Sequence, residues 1–179
     1  MTASRASVAQ LVEDLCRDIP DFPKPGVVFK DITPLLANAE AFSTTVRYLA
    51  DYVTRVQAEA VVGVEARGFI LAAPSAFKAG VGFIPLRKPG KLPGHTLRQS
   101  YSLEYAEAAL EVHDDLVRPG LRVVIMDDVL ATGGTAAAAA DLLEAAGAEV
   151  VGMSFLIELG FLDGRSKLAG RPFETVAQV

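Results

Sequence analysis

The chain has 179 residues, a net charge of −5, 51% apolar residues and a single cysteine. That length suits one domain whose core can take up roughly 70% of the unfolded surface. The acidic balance argues against a general nucleic-acid surface, no apolar run approaches the ~18 residues of a membrane span, and Cys16 alone cannot form an internal disulfide.

Val8, Leu11, Val12, Leu15 and Ile19 recur at helical spacing, with Cys16 on the same face as a packed thiol. Glu13, Asp14, Arg17 and Asp18 punctuate this stretch, unlike a signal peptide, so a cytoplasmic protein is expected. Asp21-Phe22-Pro23-Lys24-Pro25-Gly26 is an extended or turning segment that a helix cannot cross. Phe42, Val46, Leu49, Val53 and Val56 mark a second helix with Asn38 as its N-cap. Residues 60–64 read as a buried strand, 69–79 as a helix ending near Gly80, and 81–86 as a strand. Residues 87–99 are a long loop with Arg87, Lys88, Lys91 and Arg98, of a length that is often functional. Residues 100–105 and 109–113 read as two antiparallel strands projecting from the main sheet. Residues 122–126 and 150–157 are strands, and 135–146 is a helix with Gly147 as its C′ residue.

Strands alternating with helices predict an α/β fold. Its central, mostly parallel sheet is covered on both faces. Ligands of such sheets bind beyond the carboxyl ends of the strands, and three strands here end in charge: Glu65-Ala66-Arg67-Gly68 after Val64, Arg87-Lys88 after Leu86, and Asp127-Asp128 after Met126. A parallel sheet sets all three clusters along one edge. Ala131-Thr132-Gly133-Gly134-Thr135 then offers N–H groups and hydroxyls at a helix N-terminus, where a phosphate sits. The acid pair repels phosphate and suits sugar hydroxyls or a hydrated cation. One ligand with a phosphate and an adjacent ribose diol satisfies both halves. The loop has no Lys-Ser or Lys-Thr of a Walker A sequence and no Gly-x-Gly-x-x-Gly of a dinucleotide fold. Alone, Thr-Gly-Gly-Thr would be a glycine-rich turn with a threonine cap; the preceding acids set it apart.

An apolar strand, two acids and Ala-Thr-Gly-Gly-Thr resemble the phosphoribosyl-diphosphate motif of type I phosphoribosyltransferases. Residues 21–32, Asp-Phe-Pro-Lys-Pro-Gly-Val-Val-Phe-Lys-Asp-Ile, resemble the N-terminal signature of the adenine-specific members. So do Glu65-Ala66-Arg67-Gly68-Phe69, Arg87-Lys88-Pro89-Gly90-Lys91-Leu92-Pro93-Gly94, Tyr101-Ser102-Leu103-Glu104-Tyr105 and Gly164-Arg165-Ser166-Lys167-Leu168. The resemblance spans about residues 20–170. It implies a single domain over 1–179, with a hood segment at about 1–37 and a mobile β-hairpin loop at about 87–113.

The resemblance further implies purine salvage: adenine and phosphoribosyl diphosphate give AMP and pyrophosphate, with Mg²⁺ bound through the diphosphate and no dedicated protein metal site. Residues Ala131, Thr132, Gly133, Gly134 and Thr135 would hold the 5′-phosphate. Asp127 and Asp128 would hold the ribose hydroxyls and favour a cationic sugar. Arg67, Arg87, Lys88 and Lys91 would neutralise pyrophosphate. Glu104 would take the proton that adenine loses, or hold its reactive tautomer, and Tyr105 would help close the loop. Backbone groups of Val28 and Lys30 would read the adenine edge, with Phe29 stacked on its ring. A homodimer is implied, with the Arg87 region commonly reaching across its interface; no nucleic acid or membrane partner is. Ala106 replaces a frequent glycine and Ser166 a frequent glutamate. His95, His113 and Cys16 form no zinc spacing.

Two other readings compete. A phosphoribosyltransferase for another base would usually lack the Pro-Gly-Val-Val-Phe segment. A regulator that binds phosphoribosyl diphosphate without chemistry usually carries an added nucleic-acid module and a basic surface, for which this chain has neither the length nor the charge.

Overall fold

The computed structural model describes residues 3–103, 106–168 and 170–179, the side chains of residues 102, 103, 106 and 107 excepted. The N-terminal apolar period forms α1 (Arg5–Leu15), opened by a capping box between Ser4 and Ser7. It does not reach the expected Ile19. That residue precedes Pro20, whose ring disfavours a helical backbone before it. Arg17–Ile19 is instead extended as β1, antiparallel to β2 (Phe29–Asp31). The register opposes Arg17 to Asp31 and Asp18 to Lys30, and both form ion pairs, at 2.8 and 2.6 Å. The short α2 (Thr33–Ala37) follows, and then α3 (Ala39–Arg55), capped as expected by Asn38, whose side chain accepts the Ala41 N–H at 3.0 Å.

The remaining elements are β3 (Ala60–Val64), α4 (Arg67–Ala79), β4 (Gly82–Leu86), β5 (Thr96–Leu103), β6 (Ala106–His113), β7 (Arg122–Leu130), α5 (Gly134–Ala145), β8 (Glu149–Glu158) and β9 (Phe173–Gln178). Five strands form one sheet in the order β4-β3-β7-β8-β9, every neighbouring pair parallel. Successive residues feed opposite faces. Val61, Val124 and Met126 join α1, α3 and α4 in one core, while Val62, Val123 and Ile125 join α5 and the hairpin in the other. Among the described residues no helix is long and apolar enough to cross a membrane.

Two expectations need correction. Strand β5 begins at Thr96, which shortens the predicted loop, and the hairpin does not simply project. Leu110 and Val112 are buried in the second core, and Arg87 and Glu111 exchange backbone hydrogen bonds at 2.9 and 2.7 Å, tying the hairpin to the end of β4. Strand β7 does not stop at Met126. Its pairing with β3 ends there, whereas its pairing with β8 continues to Leu130. Asp127 and Asp128 therefore lie within a strand that has lost one neighbour.

Candidate active site

The chain order reverses between β3 and β7: β4 lies to one side of β3 and β7 to the other. Such a switch point leaves a crevice at the strand ends. A cleft of about 660 Å³ opens there, lined by Glu65 and Arg67 after β3, Lys88 after β4, Asp127 and Asp128 of β7, all five residues 131–135, and Arg98, Ser100 and Tyr101 of β5. All three charged clusters read from the sequence thus meet at one edge. Arg87 and Lys91 stand outside the lining.

Close backbone packing brings the cation and the acids together. A Cβ on Gly68 would lie 2.8 Å from the Met126 carbonyl oxygen and 2.9 Å from Asp127 Oδ1, so only glycine lets the start of α4 approach β7 this closely. Arg67 Nε then reaches Asp128 Oδ2 at 2.9 Å, out of hydrogen-bond line. Asp128 Oδ2 and Arg67 Nη1 are both buried without a hydrogen-bond partner, leaving an unused acceptor and an unused donor beside the cleft. Burial raises the Asp127 carboxyl well above the usual carboxylate range, and the adjacent Asp128 charge adds to this. Burial also raises Asp128, against the pull of Arg67.

On the other side Glu65 gathers the loop after β4. Its carboxylate accepts from Arg87 Nε and Nη2 at 3.2 and 3.3 Å and from the Lys88 N–H at 2.8 Å. Burial alone would raise this carboxyl, but Arg87 and Lys88 outweigh it and hold it below the usual range. The Lys91 carbonyl accepts from Arg87 Nη1 at 3.3 Å, and the Glu111 carboxylate accepts the Gly90 N–H at 3.0 Å. The Glu65–Ala66 peptide bond is cis.

The loop 131–135 rests on a second glycine. Gly133 has a φ of +77°, and a Cβ there would collide with the Gly164 carbonyl oxygen; a Cβ on Gly164 would collide with the Ala131 carbonyl oxygen. The short 3₁₀ turn Gly164–Leu168 is thereby seated directly against the loop. Its Arg165 is fixed by two hydrogen bonds to the buried Glu158, at 2.7 and 2.6 Å. Val28, Phe29 and Lys30 also stand outside the lining; the Phe29 ring lies 4.5 Å from the Arg67 guanidinium carbon and 5.2 Å from the Phe22 ring, edge to face. Val28 is exposed beside it, and Lys30 is held by Asp18.

Glu104 and Tyr105 lie outside the described residues. The sequence reading assigns no role to Arg98, Ser100 or Tyr101, all of which line the cleft. Tyr101 and Thr135 place their hydroxyls 3.2 Å apart. Between Thr96 and Ser100 Leu97 alone is apolar, so no alternation marks the start of this strand in the sequence.

The chain matches the model of the phosphoribosyl transferase domain over residues 35–169. It is 56% identical over 172 residues to the adenine phosphoribosyltransferase of Thermobifida fusca, covering 96% of this chain and 98% of that one. The crystal structure of adenine phosphoribosyltransferase from Thermoanaerobacter pseudethanolicus superposes with a TM-score of 0.92 at 48% identity, covering 96% and 99% of the two chains. That from Saccharomyces cerevisiae, complexed with an imino-altritol bisphosphate and adenine, superposes with a TM-score of 0.89 at 38% identity, covering 96% and 99%.

Proposed function

The chain belongs to the adenine phosphoribosyltransferase family, and on that premise we propose that the cleft between β3 and β7 carries its reaction. The enzyme transfers the 5-phosphoribosyl group from phosphoribosyl diphosphate to adenine, giving AMP and pyrophosphate. Adenine N9 bonds to the ribose C1′, the C1′–O bond to pyrophosphate breaks, and the N9 proton leaves. Positive charge grows on the sugar and negative charge on the leaving group, so fixed electrostatics are the chief requirement.

The observation that carries the assignment of roles is the side-by-side placement of the acid pair and the loop 131–135 along one cleft. Ala131, Thr132, Gly133, Gly134 and Thr135 hold the 5′-phosphate at the start of α5. Asp127 and Asp128 take the ribose hydroxyls and stabilise the cationic sugar. Arg67 and Lys88 face the pyrophosphate, and Arg87 and Lys91 join them by leaving or reshaping their contacts around Glu65. Val28 and Lys30 read the base edge, and Phe29 stacks on the ring once it exchanges its Arg67 face for adenine. Glu104 takes the base proton and Tyr105 closes the loop. Residues 1–37 act as the hood and 87–113 as the closing segment of one domain.

The diphosphate would carry Mg²⁺ into the cleft. Among the described residues no three His, Cys, Asp or Glu side chains gather to hold a metal alone. Asp127 and Asp128 beside the cleft nonetheless offer the hard oxygens that such a hydrated ion accepts. When bound, the ion neutralises the leaving pyrophosphate. A cytoplasmic homodimer is the assembly we propose. Ile70 and Phe77, 43% and 89% exposed one heptad apart on α4, form an apolar stripe suited to a second copy.

Incubation with phosphoribosyl diphosphate, Mg²⁺ and adenine, hypoxanthine, guanine or orotate in turn tests the base. Pyrophosphate release is expected with adenine; its absence there would sink the reading.

A further inference from the structure

Tyr101 sits on β5 and Thr135 in the first turn of α5, 34 residues apart in sequence, yet their hydroxyl oxygens are 3.2 Å from each other at the cleft wall. We propose that Tyr101 is a positioning residue for the 5′-phosphate: its phenol donates to Thr135 Oγ1 and thereby turns the threonine's own proton toward the phosphate.

Each hydroxyl has one proton to donate and can accept. A phosphate at the loop offers acceptors, so Thr135 can serve it only by donating. Its remaining capacity is as an acceptor, and Tyr101 supplies the matching donor. The chain phenol → threonine → phosphate is then polarised in one direction, which strengthens each link in a part-buried site. Gly133, which precedes α5, has no side chain to cap the helix. The Tyr101 ring is placed independently of its hydroxyl, because it packs with Leu97 against the core formed by α5 and the hairpin. The hydroxyl contact therefore joins the hairpin to the phosphate loop without being what holds the hairpin there.

This inference depends on residues 131–135 being the phosphate loop, and the test separates the two. Tyr101→Phe keeps the ring and removes only the hydroxyl. Thr135→Ala removes the relay's last member. Steady-state kinetics in both substrates, with ribose 5-phosphate and adenine binding by calorimetry, are measured for the two single variants and the double variant. Loss of one hydrogen bond predicts that Tyr101→Phe raises KM for phosphoribosyl diphosphate and Kd for ribose 5-phosphate about fivefold. The adenine KM at saturating phosphoribosyl diphosphate and the melting temperature should not move. In the Thr135→Ala background, Tyr101→Phe should add nothing. If Thr135→Ala weakens ribose 5-phosphate binding while Tyr101→Phe is silent, or if the two effects simply add, the relay is wrong and the phosphate loop stands. If Thr135→Ala itself leaves ribose 5-phosphate binding unchanged, the loop assignment fails and the relay with it.

Discussion

Gly68 and Asp127 are so close that a single methyl group on the glycine would fall 2.9 Å from the carboxylate oxygen. The Met126 carbonyl, 2.8 Å from the same point, is backbone and cannot step aside. Gly68→Ala should therefore push α4 and its Arg67 away from β7. Overpacking of this kind costs about 1–3 kcal/mol, and displacing the reacting geometry by an ångström can lower kcat/KM about a hundredfold. Gly82→Ala is the control, since its methyl would meet only Ala60 Cβ at 3.9 Å. Equal effects of the two substitutions in urea melts and kinetics would contradict the close-approach argument.

Asp127 should be a stability cost that the protein carries at neutral pH. Its folded carboxyl titrates above the unfolded one because burial and Asp128 oppose its charge. The group's stabilising contribution is thus complete only below the ordinary carboxylate range and is lost as pH rises through the folded value. Asp127→Asn should raise the melting temperature at pH 8, with the gain shrinking toward pH 5, while turnover falls. A melting temperature that drops at pH 8 would show that the ionised carboxylate is stabilising.

Most of the sheet was legible from the sequence because buried parallel strands are short apolar runs, and residues 60–64 match β3 residue for residue. Strands β1 and β2 were not, since three residues cannot display an alternation and their pairing rests on Arg17–Asp31 and Asp18–Lys30. Strand β9 carries Glu174, Thr175 and Gln178 among its six residues and shows no clean apolar run. At the site, the motifs located the acids and the loop, but the sequence had no means to show that Gly133 leans on Gly164, or that Arg67 lies under Phe29. Those contacts join segments far apart in the chain.

The Gly133–Gly164 contact predicts a shared phenotype. Alanine at either position would meet a backbone carbonyl oxygen, of Gly164 or of Ala131. Gly133→Ala also places a side chain at positive φ, a strain of order 1 kcal/mol. Both variants should raise KM for phosphoribosyl diphosphate while leaving the binding of free adenine unchanged. A defect confined to adenine would disprove the support role of the Gly164–Leu168 turn.

Arg67→Ala removes a cation that opposes the burial of Asp128, so that carboxyl should titrate higher still. Pyrophosphate inhibition should weaken about tenfold or more, as for the loss of a hydrogen bond to a charged group. Arg67→Lys should not restore it, because a point charge replaces neither the planar fork nor the face presented to Phe29. Full rescue by lysine, read from pyrophosphate inhibition constants, would show that charge alone matters there.

Cys16 should be nearly inert. Burial, with the Asp31 charge, pushes its thiol up to about 11. The thiolate fraction near neutrality is then about a hundredfold below that of an unperturbed thiol. Iodoacetamide at pH 7.5 should label it slowly in the native protein and rapidly in urea. Equal rates in the two states would place the thiol in solvent.

The pairing of Glu65 with Arg87 and of Asp128 with Arg67 means that the site already carries its own counter-ions. An arriving diphosphate would find both arginines already engaged and would have to draw each from the carboxylate beside it. Entry is then an exchange of partners, and its selectivity comes from shape: an anion too small to span the cleft offers the two arginines nothing their carboxylates do not. Chloride and inorganic phosphate, abundant in any cell, are poor rivals for such a site, so a protein with a net charge of −5 can still select a highly charged substrate from a crowd of simpler anions.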